Sequence, residues 1–391
     1  MNGKRAKTLR LEAIERYQAG ESATTICRSI GKSRGWLYKW LQRQDELKED
    51  TGPIRAHNRT PIKIEHAVIE VRKKLQSTKY AQIGVNAINR ELYLRGMSPL
   101  PETTIKRVLR RENLIRKKAP YIPKGKAYPK PEAICANNIH QADLVGPRFI
   151  KGDGRFYSLN VMDIATHRIT IFPSRRKDDE SVAAGLIHTW KKLGVPDFLQ
   201  MDNELSFRGS NRYPHSLGLV LRLSLLLKIQ PVFIPQGEPW RNGEIESFQD
   251  TFDKAFFRSQ IFCSFKELCF EAPKFVNYHN EHYIYSCLKG KTPNQALQQD
   301  SIGIALLPES FVLPKDRIPI EDGYIHFYRF IRSDRQLVIF GEKFTVSKDL
   351  VYEYVKATIC TGIHTLQVRH DDKLVDAFEY VLPVDESVNV C

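Results

Sequence analysis

The sequence predicts a chain of several domains: α-helical helix-turn-helix modules, an α/β core with a mixed sheet, and a small C-terminal β-barrel. The 391 residues exceed one ordinary domain. Apolar residues recur at helical spacing in the first third of the chain, and strands alternate with helices from about residue 136. The predicted bounds are 1-48 and 62-118 for the helical modules, 119-135 for a basic linker, 136-300 for the core and 316-391 for the barrel.

Basic residues are concentrated at the N-terminal end of the chain. Residues 1-130 hold 30 Lys and Arg against 12 Asp and Glu, whereas the remaining residues hold 30 against 33. Such a region favours binding to a polyanion, because each cation near a phosphate releases condensed counterions. A merely solubilising surface is the alternative, and the one-sided distribution does not favour it.

Composition also excludes several classes of protein. No apolar run approaches the roughly 20 residues of a membrane span, and no apolar segment follows the basic start as it would in a signal peptide. The seven cysteines include no CxxC pair, which argues against a disulfide framework or a zinc module. We therefore expect a cytoplasmic protein with reduced thiols and no membrane partner.

The first helical module has the order helix, glycine turn, capped helix. Residues 8-19 have helical periodicity, and ESATTICRSIGKSRGWLYKWLQRQ follows with a turn at Gly31 and an N-cap at Ser33. This order is the helix-turn-helix plan, whose second helix enters a DNA major groove. A plain three-helix bundle is the alternative, and the local charge favours DNA binding. The side chains predicted to enter the groove are Arg34, Tyr38 and Lys39.

A second helix-turn-helix is predicted after a polar linker. Residues 62-76 are amphipathic, and the following helix, the turn from Gly96 to Pro101 and a capped helix complete the module. Two modules in tandem would read a longer site than one. Residues 115-134 are basic and contain four prolines, which predicts an extended connector along a DNA backbone. The further DNA-binding candidates are Lys106, Arg107, Arg110, Lys117 and Lys118.

The core is predicted to contain a mixed sheet. Three consecutive strands precede alternating helices and strands, and the last helix brings several phenylalanines to one side. The predicted strands are 139-146, 156-165, 168-174, 198-202 and 231-235, and the predicted helices are 178-194, 217-227 and 242-258.

Carboxylates recur at three places in this core. Asp143 lies in the first strand between apolar neighbours, Asp202 ends the fourth strand, and Glu244 and Glu246 begin the last helix. A lone strand aspartate is more often a structural residue, but three acidic segments in this order favour a metal site. Oxygen-only sites suit Mg²⁺ or Mn²⁺, and two such ions roughly 4 Å apart activate water or a 3′-hydroxyl against a phosphodiester.

The segments HQADLVGP, LQMDNELSF and PQGEPWRNGEIESF resemble the three acidic motifs of DDE transposases and retroviral-type integrases. The segment FVNYHNEHYIYSCLKGKTPNQAL resembles the tail of the core in bacterial insertion-sequence transposases. The resemblance is close over residues 136-300 and looser on either side. It implies an RNase H-like core whose catalytic triad is Asp143, Asp202 and Glu246, holding two Mg²⁺ or Mn²⁺ ions.

Within the third motif, the family spacing from Asn242 selects Glu246 rather than Glu244. Helix positions two apart point about 200° apart, so only one of the two faces the metals. The sequence departs from the family pattern where Glu204 replaces the usual glycine after Asp202 and Asn203, which predicts an extra acid near the site. The separation between Asp202 and Glu246 is longer than is common in the family. The extra residues are predicted to form a loop, which leaves the metal site possible.

The resemblance implies a transposase or integrase of the bacterial nucleoid. It would bind terminal inverted repeats and target DNA as a homo-oligomer, and then cleave and join strands. Two alternatives are an RNase H-like nuclease, which the DNA-reading modules disfavour, and a DNA-binding regulator or target-selection protein with an inactive core, which the three acids disfavour.

Overall fold

The computed structural model describes residues 3-43, 60-115, 126, 129, 131-210, 215-300 and 304-383. The chain divides into two compact units, Met1–Ile64 and Glu65–Cys391. Within the described ranges, no helix combines the length and apolar composition of a membrane span. The six cysteines of the described part are free thiols.

The first unit is a bundle of three helices. They are α1 (Gly3–Gln18), α2 (Ala23–Ile30) and α3 (Arg34–Leu41). The Ser33 hydroxyl accepts a hydrogen bond from the backbone N–H of Trp36 at 3.2 Å and so caps α3. Gly31 ends α2 in the left-handed conformation, with φ of +63°, which glycine adopts without steric cost. Ile26 and Leu37 are fully buried between the helices.

The second helical module opens the second unit. Its helices are α4 (Ile62–Ser77), α5 (Val85–Leu94) and α6 (Glu102–Arg111). Their apolar faces meet in a small core that includes Val68, Ile88 and Ile105. The Asn89 side chain closes the turn between α5 and α6, because it donates to the carbonyl of Leu100 and accepts from its N–H, both at 2.9 Å.

A sheet of nine strands forms the centre of the second unit, and a separate hairpin adds two more. The strands are β1 (Ile139–Ile150), β2 (Gly154–Asp163), β3 (Ile169–Ser174), β4 (Phe198–Met201), β5 (Gln230–Phe233), β6 (Tyr324–Phe330), β7 (Gln336–Ile339), β8 (Glu342–Thr345), β9 (Tyr354–Cys360), β10 (Thr365–His370) and β11 (Lys373–Glu379). The sheet order is β11-β10-β9-β6-β5-β4-β1-β2-β3, and β7 pairs only with β8.

The first five strands form the predicted mixed sheet. β1, β2 and β3 are antiparallel neighbours, whereas β4 pairs in parallel with β1 and with β5. The remaining helices are α7 (Asp179–Lys192), α8 (Leu205–Arg208), α9 (Leu219–Leu226), α10 (Gly243–Thr251), α11 (Phe265–His282) and α12 (Pro293–Gln298). The long helix predicted over 242-258 is therefore divided, since a π-helix over Phe252–Phe257 follows α10.

The two faces of the sheet bury different cores. One face packs against α7 and α9, where Trp190 and Leu221 are fully buried. The other face packs against α10, the π-helix and α11, with Phe248 and Phe275 at its centre. Tyr80, from the loop after α4, joins this second core, so the second helical module packs on the core domain.

The separate C-terminal barrel that the sequence predicts is not confirmed. β6 pairs in parallel with β5, placing Phe233 opposite Phe327, and their rings stack 5.0 Å apart. β9, β10 and β11 continue the same sheet outward, and the β7-β8 hairpin packs over it through Phe344. The apolar side of β6 completes a hydrophobic core that α9 and β5 have already begun, and sharing that core buries more apolar surface than separation would.

Candidate active site

The first predicted acid, Asp143, lies in the middle of the sheet. It stands opposite Asn160 of β2 in the β1-β2 register and is partly buried. The side-chain amide of Gln249, one turn after Glu246 on α10, donates a hydrogen bond to the Asp143 carboxylate. Asp143 is thereby held toward α10 rather than toward solvent.

The second acid, Asp202, directly follows β4. In the parallel register Gln141 lies beside Gln200, so two residues further along Asp143 and Asp202 come to neighbouring positions. The backbone N–H of Glu204 donates to the Asp202 carboxylate at 3.0 Å and orients it. Burial raises the pKa of Asp202, and the hydrogen bond from the N–H of Glu204 lowers it. The charge of Glu204 raises this pKa and that of Lys177 lowers it.

The third acid, Glu246, is positioned by the beginning of α10. The side-chain carbonyl of Gln141 accepts from the N–H of Ile245 at 3.2 Å. The Asn242 amide donates to the carbonyl of Ala142 at 3.3 Å and accepts from Gln200 at 3.2 Å. Side chains of β1 and β4 thus fix the first turn of α10. Glu246, in that turn, is partly buried, and burial raises its pKa.

The three carboxylates share one electrostatic environment. Burial raises the pKa of Asp143 to about 7, and the charges of Asp202, Glu246 and Glu204 contribute in that order, against one backbone hydrogen bond that lowers it. Glu244 instead acts on His167 and Cys287, on another side of the helix. Of these two acids, Glu246 is the one whose charge acts on Asp143.

The arrangement fits a hard cation without enclosing one. Among the described residues, no group of three or more His, Cys, Asp or Glu side chains is close enough to surround a metal ion. All three acids nevertheless supply only oxygen atoms, and burial is the main cause of the raised pKa of each. This donor chemistry suits Mg²⁺ or Mn²⁺.

The predicted extra acid, Glu204, lies at this site and has a partner. Its carboxylate accepts from the Lys177 ammonium at 2.6 Å. The sequence does not indicate that Lys177 belongs to this site, because Lys177 lies outside the three acidic motifs. The pair places one cation at the rim of the acidic site.

A buried arginine from β6 supports the loop that carries Asp202. The Arg329 guanidinium donates to the side-chain oxygen of Asn203 at 2.7 Å and to the carbonyl of Ile234 at 3.1 Å. Asn203 also donates to Ile234 at 2.8 Å. Burial lowers the pKa of Arg329 to about 9, and Arg208 contributes. No local signal in the sequence identifies Arg329, because it lies far along the chain from Asp202.

A second support precedes the helix that carries Glu246. The Tyr354 hydroxyl of β9 donates to the Glu238 carboxylate at 2.6 Å, and Arg241 donates to the other oxygen of Glu238 at 2.8 Å. Arg241 also donates to the carbonyl of Lys126 at 2.7 Å. Glu238 therefore ties the loop before α10 to the C-terminal strands.

The predicted DNA-binding residues are distributed over two helices. Arg34, Tyr38 and Lys39 are exposed on α3, and the ring of Tyr38 packs edge-on against Tyr17 at 6.2 Å. On α6, Arg107 and Arg110 are exposed, and Lys106 is partly buried and pairs with Glu102. The remaining candidates, Lys117 and Lys118, lie outside the described residues.

Comparison with known proteins finds similarity to one family model and to several solved structures. Residues 4–51 match the family model of a homeodomain-like domain. Homeodomains are three-helix variants of the helix-turn-helix, and the described part of the matched range likewise contains three helices, α1 to α3. The prediction for the first module is confirmed, and the match indicates DNA binding.

The chain is also similar to solved structures of retroviral integrases. The HTLV-2 integrase catalytic core domain in complex with magnesium matches at 13% identity and a TM-score of 0.33, over 42% of this chain and 99% of that chain. The simian T-cell lymphotropic virus intasome in complex with PP2A regulatory subunit B56 gamma matches at 14% identity and a TM-score of 0.37, over 75% of this chain and 93% of that chain.

Proposed function

We propose that this protein is a DNA transposase or integrase, a DDE-type polynucleotidyl transferase that binds element ends and catalyses metal-dependent strand cleavage and strand transfer. The observation that carries the proposal is the shared electrostatic environment of Asp143, Asp202 and Glu246. Two adjacent parallel strands and helix α10 carry these acids from three distant segments of the chain, and the charges of Asp202 and Glu246 both raise the pKa of Asp143.

The three acids are the proposed catalytic and metal-binding residues. Asp143, Asp202 and Glu246 would hold two Mg²⁺ or Mn²⁺ ions, which when bound would activate water or a 3′-hydroxyl for attack on a phosphodiester. Gln249 and the N–H of Glu204 orient two of the carboxylates before any substrate is bound. Such preorganisation reduces the cost of reaching the reactive geometry.

The helical modules are the proposed readers of the element ends. Residues Arg34, Tyr38 and Lys39 would contact base edges in the major groove, where basic and polar side chains read sequence. The proposed further contacts, mainly to phosphates, come from Lys106, Arg107, Arg110, Lys117 and Lys118. Because two ends must be joined to one target, the active form is proposed to be a homo-oligomer on DNA.

A single assay separates this proposal from the nuclease and the inactive regulator. Full-length protein is incubated with labelled terminal-repeat DNA and a target plasmid in Mg²⁺, and joined products are resolved on a gel. We expect joining by the natural protein and a loss of at least 100-fold in Asp202→Asn and Glu246→Gln, since each removes a proposed metal ligand. The matched control is Glu244→Gln, which changes an exposed acid two positions away on the same helix.

Each alternative has its own result in this assay. Nicking without joining would favour a nuclease, whereas DNA binding without either product would favour a regulator with an inactive core. A loss in Glu244→Gln equal to that in Glu246→Gln would contradict the assignment of the third ligand.

A further inference from the structure

The C-terminal strands β6, β9 and β10 present one open face away from the hydrophobic core. Successive side chains of a strand point to opposite faces of a sheet. On β6, Ile325 and Phe327 lie in the core, so Tyr324, His326 and Tyr328 share the other face. The paired registers extend this face across β9 and β10 in three rows, each two residues, or roughly 6.6 Å, from the next.

The first row brings two cations together. Lys356 of β9 stands directly opposite Arg369 of β10. The Arg369 guanidinium donates to the side-chain oxygen of Gln367 and to the backbone oxygen of Asp372, both at 3.1 Å. Because both acceptors are neutral, they fix the guanidinium without cancelling its charge.

The Lys356 ammonium is in a similar state. It is half buried and forms no salt bridge with any residue that the structure describes. Burial lowers the pKa of Lys356, and Arg369 lowers it further, while Asp372 acts in the opposite direction. Asp371 and Asp372 line a small cavity together with this pair, and the charge of Asp372 offsets part of the repulsion between the two cations.

The middle row, His326, Thr358 and Gln367, is uncharged, and hydrogen bonds fix its imidazole. His326 donates from Nε2 to the side-chain oxygen of Gln230 at 2.9 Å and accepts at Nδ1 from the Thr358 hydroxyl at 3.0 Å. Burial lowers the pKa of His326 to about 3, with a contribution from Lys356, so the imidazole is uncharged near neutral pH. The middle row therefore contributes hydrogen-bonding groups and no further charge.

The third row is aromatic and exposed. The ring of Tyr324 lies parallel to that of His326 at 6.3 Å, and Phe198 approaches His326 from the other side at 6.1 Å. Tyr324 is 51% exposed, which leaves one ring face open to solvent. A cavity of about 710 Å³ runs over all three rows, and a second of about 220 Å³ adjoins it at Lys356. The larger volume is within the range of small-molecule sites.

This cavity is separate from the acidic site. Phe198 begins β4 and Asp202 follows its end, which places the two roughly 13 Å apart along the strand. The lining also differs, because Lys356 and Arg369 line this cavity together with the single carboxylate of Asp322, whereas the other site carries three carboxylates and none of these cations. A role for this cavity does not depend on catalysis by Asp143, Asp202 and Glu246.

We propose that the cavity binds a phosphate-bearing nucleotide unit, with its phosphate on Lys356 and Arg369 and its base against Tyr324 and Phe198. Fixed cations suit phosphate oxygens, and an open aromatic face stacks on any base. The spacing of the rows places the cationic and aromatic ends apart, as phosphate and base are apart in a nucleotide. A free nucleotide and a nucleotide within single-stranded DNA offer this same chemistry.

The test compares the two sources in full-length protein with EDTA present, so that no divalent ion takes part. Thymidine monophosphate binding is measured by equilibrium dialysis, and binding of a labelled oligothymidine by fluorescence anisotropy. We expect Lys356→Met and Arg369→Gln each to weaken binding about tenfold. Tyr324→Leu, at an exposed position that does not endanger folding, is expected to weaken it several-fold. The matched control is Lys343→Met, an exposed lysine on β8 outside the cavity.

The outcomes divide as follows. Weakening of both probes supports the site with a free nucleotide among its ligands, and weakening of the oligothymidine alone supports it with a DNA strand as the source. Equal binding by the cavity variants and Lys343→Met, with unchanged thermal unfolding, would overturn the proposal. Competition by inorganic phosphate as strong as by thymidine monophosphate, with no effect of Tyr324→Leu, would overturn the role of the base.

Discussion

The helices α4 to α6 and the strands β6 to β11 flank the same core but join it by different interactions. The helices dock through side chains: Tyr80 enters the aromatic core beside Phe275, and Gln82 exchanges two hydrogen bonds with the backbone of Ile284 at 3.1 and 3.0 Å. The strands join through backbone pairing of β6 with β5 and through Arg329. The comparison teaches that the C-terminal strands are part of the core domain, whereas the helices are attached to its surface.

The largest expected effect comes from removing one flank or the other. A chain that ends at residue 315 loses the partner of β5 and exposes the core around Phe233, so we expect it to aggregate or remain unfolded. A chain that begins at residue 131 loses side-chain contacts only and is expected to fold. Circular dichroism and denaturant unfolding of the two chains check this. The comparison would be reversed if the chain that ends at residue 315 folded and the chain that begins at residue 131 did not.

The next effect concerns the buried arginine. Arg329→Met leaves the side-chain oxygen of Asn203 without the Arg329 donor, and the carbonyl of Ile234 keeps only the donor from Asn203. Because a buried unpaired group costs about 1–3 kcal/mol, we expect the free energy of unfolding to fall by about 2 kcal/mol. The proposed strand transfer should fall with it, because Asn203 adjoins Asp202. Urea titration measures the first quantity. Arg332→Met, at an exposed arginine close by, is the control and is expected to be neutral.

A smaller effect is expected at the support before α10. Tyr354→Phe removes one of the hydrogen bonds to the Glu238 carboxylate, and a hydrogen bond to a charged group contributes about 1.5–3 kcal/mol. Combining it with Glu238→Gln in a double-mutant cycle isolates the coupling between the two residues. We expect a coupling energy of about 1 kcal/mol from thermal unfolding, and additive effects would show that the contact contributes little.

The smallest effect is expected where the helices dock. The Glu271 carboxylate accepts from Lys79 and Tyr80, both at 2.5 Å, and from Lys274 at 2.7 Å. Glu271→Gln is expected to cost about 1 kcal/mol, since such partly exposed pairs contribute little. Limited proteolysis between the helices and the core measures the loosening. Glu281→Gln, at an exposed acid on the same helix, is the control.

The same carboxylate gives the docking a pH dependence. Hydrogen bonds from Lys274, Lys79 and Tyr80 lower the pKa of Glu271 to about 2, from an ordinary value near 4.5. Its contribution is therefore complete above about pH 4.5 and is lost as the pH falls toward 2. In Glu271→Gln, the difference in stability from the natural protein should shrink over this range, and a constant difference would contradict the assignment.

Much of the core and of the candidate site was predictable from local patterns. The strands before residue 236 and the first helix-turn-helix follow from spacing within one segment, whereas the preference for Glu246 over Glu244 comes from the family pattern that the third motif resembles. The predicted helix over 242-258 was only partly right, because the π-helix that packs Phe252 and Phe256 inward is a response to tertiary packing. The separate barrel is not confirmed because strand partners lie far apart in the sequence and periodicity does not name them.

By itself, the sequence determined which segments are helices and strands, where the basic charge lies, and which three acids occur in strand, strand and helix contexts. These properties depend on residues that are close together along the chain. Only the tertiary structure decided that Arg329 and Tyr354 support the loops around those acids, and that Lys356 and Arg369 face each other across two strands. Such contacts arise from the register of paired strands and the burial of shared surfaces, and neither is encoded within a single segment.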